Sequence, residues 1–380
     1  MGILVISNCK SWGLIILGVV GGLALGLAQP ALAVDPQYVI SISVDGLGSS
    51  YLQTLLNASQ VPNFQRLTTQ GAFTMNARTD YDMTVTLPNH VTQVTSRGVI
   101  GVGGNGHNWT SNSDPPGGTT IHSNKGSYVA GVFDVAHDNG LRTGMYATKT
   151  KFSLFDTSYN ATYGAPDTTG PDNGCDKLDT YVYNSSSSSI TSSFLSATAG
   201  NPFNYAFLHY TDGDSAGHTY GWGSTNYNNA IKAVDGYLGQ VFNLVDTNPT
   251  FQGKTAIILT ADHGGTGNDH GNQTLATNYT LPFYVWGPGV TAGADLYALN
   301  LTTRLDPVTG RPLYSVVPQP IRNADGANLA LDLLGLGSIP GSTVNSLQNL
   351  AVPEPATLSL LAIGGLALVC RRGRGDRHTG

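Results

Sequence analysis

Apolar positions follow two rhythms between residues 34 and 350. Short unbroken runs, several of them rich in β-branched residues, occur at 37–44 (QYVISISV), 143–147, 204–209 (NYAFLH), 255–259 (TAIIL) and 281–286. Each predicts a buried strand, because a run apolar on both faces has no side to offer to water. Between them the apolar residues recur every three or four positions. In 227–245, Ile231, Val234, Leu238, Val241, Phe242 and Val245 fall on one stripe, which predicts an amphipathic helix. Helices are also expected at 49–56, at 61–70 with Asn63 near its cap, at 127–139 before Gly140, and at 327–334. The Ser-rich stretch 184–193 reads as a surface loop or a frayed helix start. Strands alternating with helices imply an α/β fold with a mostly parallel sheet. Such sheets carry their sites at the carboxyl ends of the strands.

The two ends of the chain do not follow either rhythm. Lys10, an apolar run over 12–27 and Ala31-Leu32-Ala33 form a secretory signal at 1–33, the other reading being an N-terminal anchor. At the far end, Val352-Pro353-Glu354-Pro355 precedes an apolar stretch at 356–370 and then Arg371, Arg372 and Arg374. This resembles the PEP-CTERM sorting signal and is assigned to 351–375, with a transmembrane helix. The resemblance implies a precursor held transiently in the inner membrane of a Gram-negative bacterium. A dedicated transpeptidase, an exosortase, then removes the tail, leaving the protein at the cell surface or in the extracellular matrix. Arginines on the cytoplasmic side fit that orientation. A permanent anchor is the alternative.

Composition narrows the chemistry. Of 24 acidic residues 23 are Asp, and the single Glu, Glu354, lies in the sorting motif. An H-E-x-x-H metalloprotease and an EF-hand are therefore excluded. The segment 34–350 carries 13 basic against 22 acidic residues, a formal −9, which argues against nucleic-acid binding through a basic patch. Cys175 is its one cysteine, so no disulfide can form within it.

Asp and His gather in loops that mostly follow the predicted strands: Asp45, Asp214 with His218, Asp262 with His263, and His270. Three carboxylates and three imidazoles make two half-shells for divalent metal, zinc above all. Isolated histidines such as His122 and His209 are read as structural. In Thr84-Val85-Thr86-Leu87-Pro88-Asn89-His90, Pro88 opens a helix and Thr86 sits at its start, where a hydroxyl can face an anion. An ordinary N-cap is the competing reading of Thr86.

Together these residues resemble the alkaline phosphatase superfamily, in its nucleotide pyrophosphatase/phosphodiesterase-like branch, over about 38–289. The matching motifs are SVDGLG at Asp45, T-x-P-N-H from Thr86 to His90, D-x-x-G-H from Asp214 to His218, D-H-G from Asp262 to Gly264, and the His-Gly pair at His270. The resemblance implies a three-layer sandwich with a central mostly parallel sheet, forming one catalytic domain over 34–350. It implies two zinc ions, one on Asp214, His218 and His270 and the other on Asp45, Asp262 and His263. Thr86 would be the nucleophile between them and itself a metal ligand. The family's phosphoryl-binding Asn matches either Asn112, in GHNWTSN, or Asn105, in GVGGN. Lys149 and Lys151 either approach the substrate or end a solvated strand. Three functions compete: a phosphodiesterase or pyrophosphatase, a phosphate monoesterase of the same fold, and a non-catalytic surface matrix protein. A sulfatase is disfavoured because no modifiable Cys or Ser stands at the nucleophile position.

Overall fold

A computed structural model of the chain describes residues 35–165 and 175–353. The signal at 1–33 and the tail beyond Pro353 lie outside the described residues. Among the described residues no helix is long and apolar enough to cross a membrane, so nothing there bears out the transmembrane assignment.

Eight strands form one sheet: β1 (Tyr38–Val44), β2 (Ala72–Arg78), β3 (Thr143–Ala147), β4 (Thr180–Tyr183), β5 (Tyr205–Tyr210), β6 (Thr255–Thr260), β7 (Thr280–Trp286) and β8 (Ala294–Asp295). Their order is β4-β3-β5-β1-β6-β7-β2-β8. β7 runs antiparallel to β6 and β2, and every other pairing is parallel. β1 lies between β5 and β6, with His209 level with Ser43 and Ser43 level with Thr260. The ends of three adjacent strands thus emerge side by side. Helices flank the sheet, giving the expected sandwich. The five predicted strands are all present, within a residue or two at each end.

Two local expectations needed correction. The helix expected at 127–139 begins only at Val132, because the Asp134 carboxylate accepts from the Gly131 amide at 2.8 Å and fixes the turn there. Residues 184–186 are the expected loop, but 187–193 are a capped helix and not a frayed one: Ser186 caps the helix Ser187–Gly200 by accepting from the Ser189 amide. Asn63 lies near its cap as expected, at the second position of the helix Pro62–Gln70. Asp235, on the helix Thr225–Thr247, accepts from the Asn63 and Phe64 amides at 2.9 Å each. That cap comes from 172 residues away and leaves no local signal. β2 (AFTMNAR) has no apolar run to announce it, and its pairing with β7 is broken by a register shift between Thr74 and Ala77.

Candidate metal centre and nucleophile

Each strand that ends at this edge delivers one part of the site. β1 runs into Asp45, β6 into Asp262 and His263, and β5 into the helix Asp212–Tyr220, which carries Asp214 and His218. Gly46 turns the chain after β1 with φ +74°, and a Cβ there would lie 2.9 Å from the Asp214 Cα. The same close approach lets the Asp214 amide donate to the Asp45 carbonyl at 3.0 Å. His270 arrives on the loop after Gly265.

The six residues form two triads, Asp45–Asp262–His263 and Asp214–His218–His270, each with its donor atoms within 4.8 Å of one another. In the first, His263 Nε2 lies 3.4 Å from Asp45 Oδ1 and 3.2 Å from Asp262 Oδ2. In the second, His218 Nε2 is 3.3 Å from Asp214 Oδ1, and His270 Nε2 is 3.6 Å from that oxygen and 3.1 Å from His218 Nε2. Bonds of about 2.0–2.2 Å to a tetrahedral zinc set its ligands about 3.3–3.5 Å apart, so these edges fit.

Two further observations test the fit. Asp45 Oδ1, Asp214 Oδ1 and Asp262 Oδ2 are buried and have no hydrogen-bond partner, a costly arrangement unless a cation satisfies them. All three imidazoles use Nδ1 to donate to a backbone carbonyl: His218 to Asn268 at 3.0 Å, His263 to Gly264 at 2.8 Å and His270 to Thr84 at 2.6 Å. That fixes the tautomer in which Nε2 keeps its lone pair toward the cluster, as metal-binding histidines require. The residues fit a pair of divalent ions.

Lys149 occupies the space between the triads. Its Nζ lies 2.6 Å from Asp45 Oδ2 and 2.7 Å from Asp214 Oδ2, the oxygens facing away from the orphaned ones. Neither sequence reading of this residue anticipated that it braces a carboxylate of each triad. His209 donates from Nε2 to Asp45 Oδ2 at 3.0 Å while its Nδ1 faces Thr148. It is not a ligand, yet it orients one. His122 is structural, held between the Ser158 carbonyl and the Val129 amide.

Burial alone would raise the Asp45 pKa, but Lys149, with His209 and His263, holds it well below the usual carboxylate range. Asp214 is likewise held down, to about 2, where burial and Asp45 are outweighed by His218 and Lys149. Asp262 goes the other way: burial and the Asp45 charge push it well above the usual range. Three carboxylates share one ammonium, and Asp262 is the one whose charge is least compensated. Burial, then the neighbouring His270, lowers His263 to about 3, whereas the adjacent Asp214 carboxylate raises His218.

Thr86 is buried at the start of the helix Thr86–Thr95, with Oγ1 3.4 Å from His263 Nε2 and 3.4 Å from Lys149 Nζ. The rest of its motif is scaffolding. His90 bonds the Thr86 carbonyl through Nδ1 at 2.8 Å and Ser43 through Nε2 at 2.9 Å. The Asn89 amide group bonds the Met83 and Val85 carbonyls ahead of the nucleophile.

Asn112 Oδ1 accepts from the Leu87 amide at 2.9 Å, one residue past Thr86, and Lys151 Nζ sits 2.5 Å from the Asn112 carbonyl. Asn105 is exposed at the end of the 3-10 turn Val102–Gly104. The fold therefore joins Asn112 and Lys151 to the Thr86 neighbourhood. His107 explains the intervening sequence: buried, it takes the Trp109 amide on Nδ1 and bonds Thr92 through Nε2, pinning the loop that presents Asn112.

Trp222 went unread in the sequence. Its indole donates to the Gly46 carbonyl at 2.8 Å, and its ring meets His218 and His270 edge-on, with centroids 5.2 and 5.9 Å away. A Cβ on Gly217 or Gly265 would come within 2.5 or 2.1 Å of that ring. The glycine of D-x-x-G-H is thus where Trp222 packs. A tryptophan four residues after a candidate ligand was the only available signal.

Comparison with known proteins bears on the family and the fold. Curated relatives include the GPI ethanolamine phosphate transferases 1 of Aspergillus oryzae, 32% identical over 37% of this chain, and of Mus musculus, 30% identical over 36%. The chain spans only 14% and 15% of the length of those proteins. Among solved structures, an inactive variant of murine ectonucleotide pyrophosphatase / phosphodiesterase 5 in complex with AMP superposes with a TM-score of 0.56 at 16% identity, covering 80% of this chain and 96% of that one. A variant of the alkaline phosphatase PafA gives 0.54 at 13% identity, covering 85% and 99%. The tail matches the PEP-CTERM protein-sorting motif over residues 351–374. Residues 39–304 match the type I phosphodiesterase / nucleotide pyrophosphatase family, and the chain belongs to that family.

Proposed function

We propose that the protein is a two-zinc hydrolase of phosphate diesters or pyrophosphates with Thr86 as nucleophile. The observation that carries this reading is the set of three orphaned carboxylate oxygens and three Nδ1-locked imidazoles around one buried hydroxyl. Two divalent ions held by the triads would supply Lewis-acid polarisation of the phosphoryl oxygens and of the Thr86 hydroxyl. Thr86 Oγ1 forms the bond to phosphorus as the leaving oxygen departs, and water then cleaves the phosphothreonine. The amide group of Asn112 and the ammonium of Lys151 hold the transferring group, and Lys149 keeps Asp45 and Asp214 turned toward the centre.

A second reading, phosphate monoester hydrolysis, draws on the same two lysines, because a more highly charged phosphoryl group suits two nearby ammonium groups. The named relatives add the variant in which an alcohol, in place of water, takes the phosphoryl group from Thr86. The surface-matrix reading leaves the three orphaned oxygens without an explanation. Residues 1–33 would direct export, and the 351–375 signal would hold the precursor in the inner membrane until an exosortase acts.

Zinc-reconstituted protein should cleave bis-p-nitrophenyl phosphate faster than p-nitrophenyl phosphate. The reverse ratio selects the monoesterase. Product capture by added alcohol selects transfer. Cleavage of neither substrate, with no zinc retained, removes the enzyme reading.

A further inference from the structure

The large hydrophobic side chains of the described residues are mostly buried, with one concentrated exception. Leu301, Val308, Val317 and Leu347 are 80%, 72%, 86% and 82% exposed, and no other large hydrophobic among the described residues passes 58%. All four fall in the last part of the domain. Val317 and Leu347 line a common depression with Thr302 and Arg304. The Leu305 amide donates to the Gln319 carbonyl, which ties both strands of the loop 305–319 to that place.

The loop is held in a way that points apolar groups outward. Val308 has φ +53°, a region that β-branched residues rarely occupy. Its carbonyl is gripped by Asn76 Nδ2 at 3.0 Å and by the buried Arg78 at 3.2 Å. Asp306, the one carboxylate of the loop, accepts from Asn76 and from the Val308 amide. Its charge is therefore engaged by the protein.

The last described residues run past the same place. Asn300 pins Ala351 from both sides, donating to its carbonyl at 2.8 Å and accepting from its amide at 2.7 Å, directly beside Leu301. Thr291 then holds the next two residues, its amide donating to the Val352 carbonyl at 3.1 Å and its hydroxyl to the Pro353 carbonyl. The apolar stretch 356–370 begins three residues after Pro353. Three residues reach at most about 11 Å when fully extended. A bilayer that takes up 356–370 therefore has to lie close to the surface around Thr291, Ala351 and Leu301.

We propose that the face bearing Leu301, Val308, Val317 and Leu347 is the membrane-facing side of the domain, resting its four aliphatic side chains in the headgroup–acyl boundary while the tail is inserted. The proposal rests on the tail reading given above. The short tether chooses a lipid surface over a soluble partner, because it fixes which face meets the bilayer before any partner arrives. Insertion of several aliphatic side chains to that depth is how interfacial segments hold to membranes.

The test uses residues 34–380 carrying Cys175→Ser and Cys370→Ser, reconstituted in phosphatidylcholine nanodiscs with and without brominated acyl chains. A bimane label is placed in turn at 317, 347 and, as a control toward the opposite edge of the sheet, at 192. Quenching at 317 and 347 by about twofold, with little at 192, is the expected result. The triple variant Leu301→Asp, Val308→Asp, Leu347→Asp should release the label at 317 without lifting the protein off the disc. Protein that stays in the disc with all three labels unquenched overturns the proposal and leaves the tail reading standing. Protein that does not associate with discs overturns both. Burial of the labels in detergent-free buffer together with a dimer mass overturns it in favour of a second copy of the chain.

Discussion

The two candidate metal triads are built from the same residue types but are held differently. Asp45, Asp262 and His263 are completely buried at the ends of two hydrogen-bonded neighbours, β1 and β6. Their positions follow from the sheet ladder. Asp214, His218 and His270 stand on a helix and a loop, and the His218 side chain is 45% exposed. Their alignment depends on packing against Trp222. One triad is fixed by backbone pairing and the other by a side-chain wedge, so they should fail under different insults.

The largest expected effect lies between the triads. Thr86→Ala should lower kcat by at least about a thousandfold while both ions stay bound, since it removes the nucleophile and no candidate carboxylate or imidazole. Loss of an ion along with activity would mean that Thr86 is mainly a ligand. Next comes the wedge. Trp222→Phe keeps an aromatic ring but loses three ring atoms of the wedge and the bond to Gly46, and should weaken one zinc about 10–100-fold while the other is unchanged. Metal counting after graded chelation reads this directly, and equal weakening of both sites would erase the distinction. Gly265→Ala should act in the same direction through the clash with the same ring.

Acid should separate the triads as well. An imidazole binds metal only when neutral, and His218 is raised above the ordinary histidine value whereas His263 is lowered to about 3. Lowering the pH through 7 to 5 should therefore strip the exposed triad first, seen as one equivalent of zinc lost before the second. Simultaneous release would contradict the assignment. The smallest effect concerns stability of the metal-free protein. His107, like His263, is lowered to about 3 by burial. Below about 6.5 the unfolded chain binds protons that the folded chain refuses, so stability falls as pH drops from about 6.5 toward 3, at up to about 1.4 kcal/mol per pH unit per histidine. The Tm of His107→Gln should fall less steeply over that window, even if it starts lower.

How much of this was legible in the sequence differs by element. Five strands showed because a doubly covered strand must be apolar throughout, and the Thr225–Thr247 helix showed because its apolar stripe repeats on one side. β2 did not show: its mixed residues obey neither rhythm, and its pairing with β7 crosses a register shift. The six candidate ligands were readable because each lies in a short loop motif. Of the two Asn candidates, spacing alone could not choose. The bond from the Leu87 amide, 25 residues away, is what brings Asn112 beside Thr86.

The sequence by itself determined the inventory. It excluded Glu from 34–350, left Asp and His as the available metal donors, placed them after strands, and set a sorting tail at 351–375. The tertiary structure decided how those groups work together: the carbonyls that lock three imidazoles, the Lys149 ammonium shared between Asp45 and Asp214, the Trp222 ring wedged against Gly217 and Gly265. Residue types and short spacings are local and survive in one dimension. The partners of a buried charge are chosen by folding, because only packing decides which distant groups share the space that water has left.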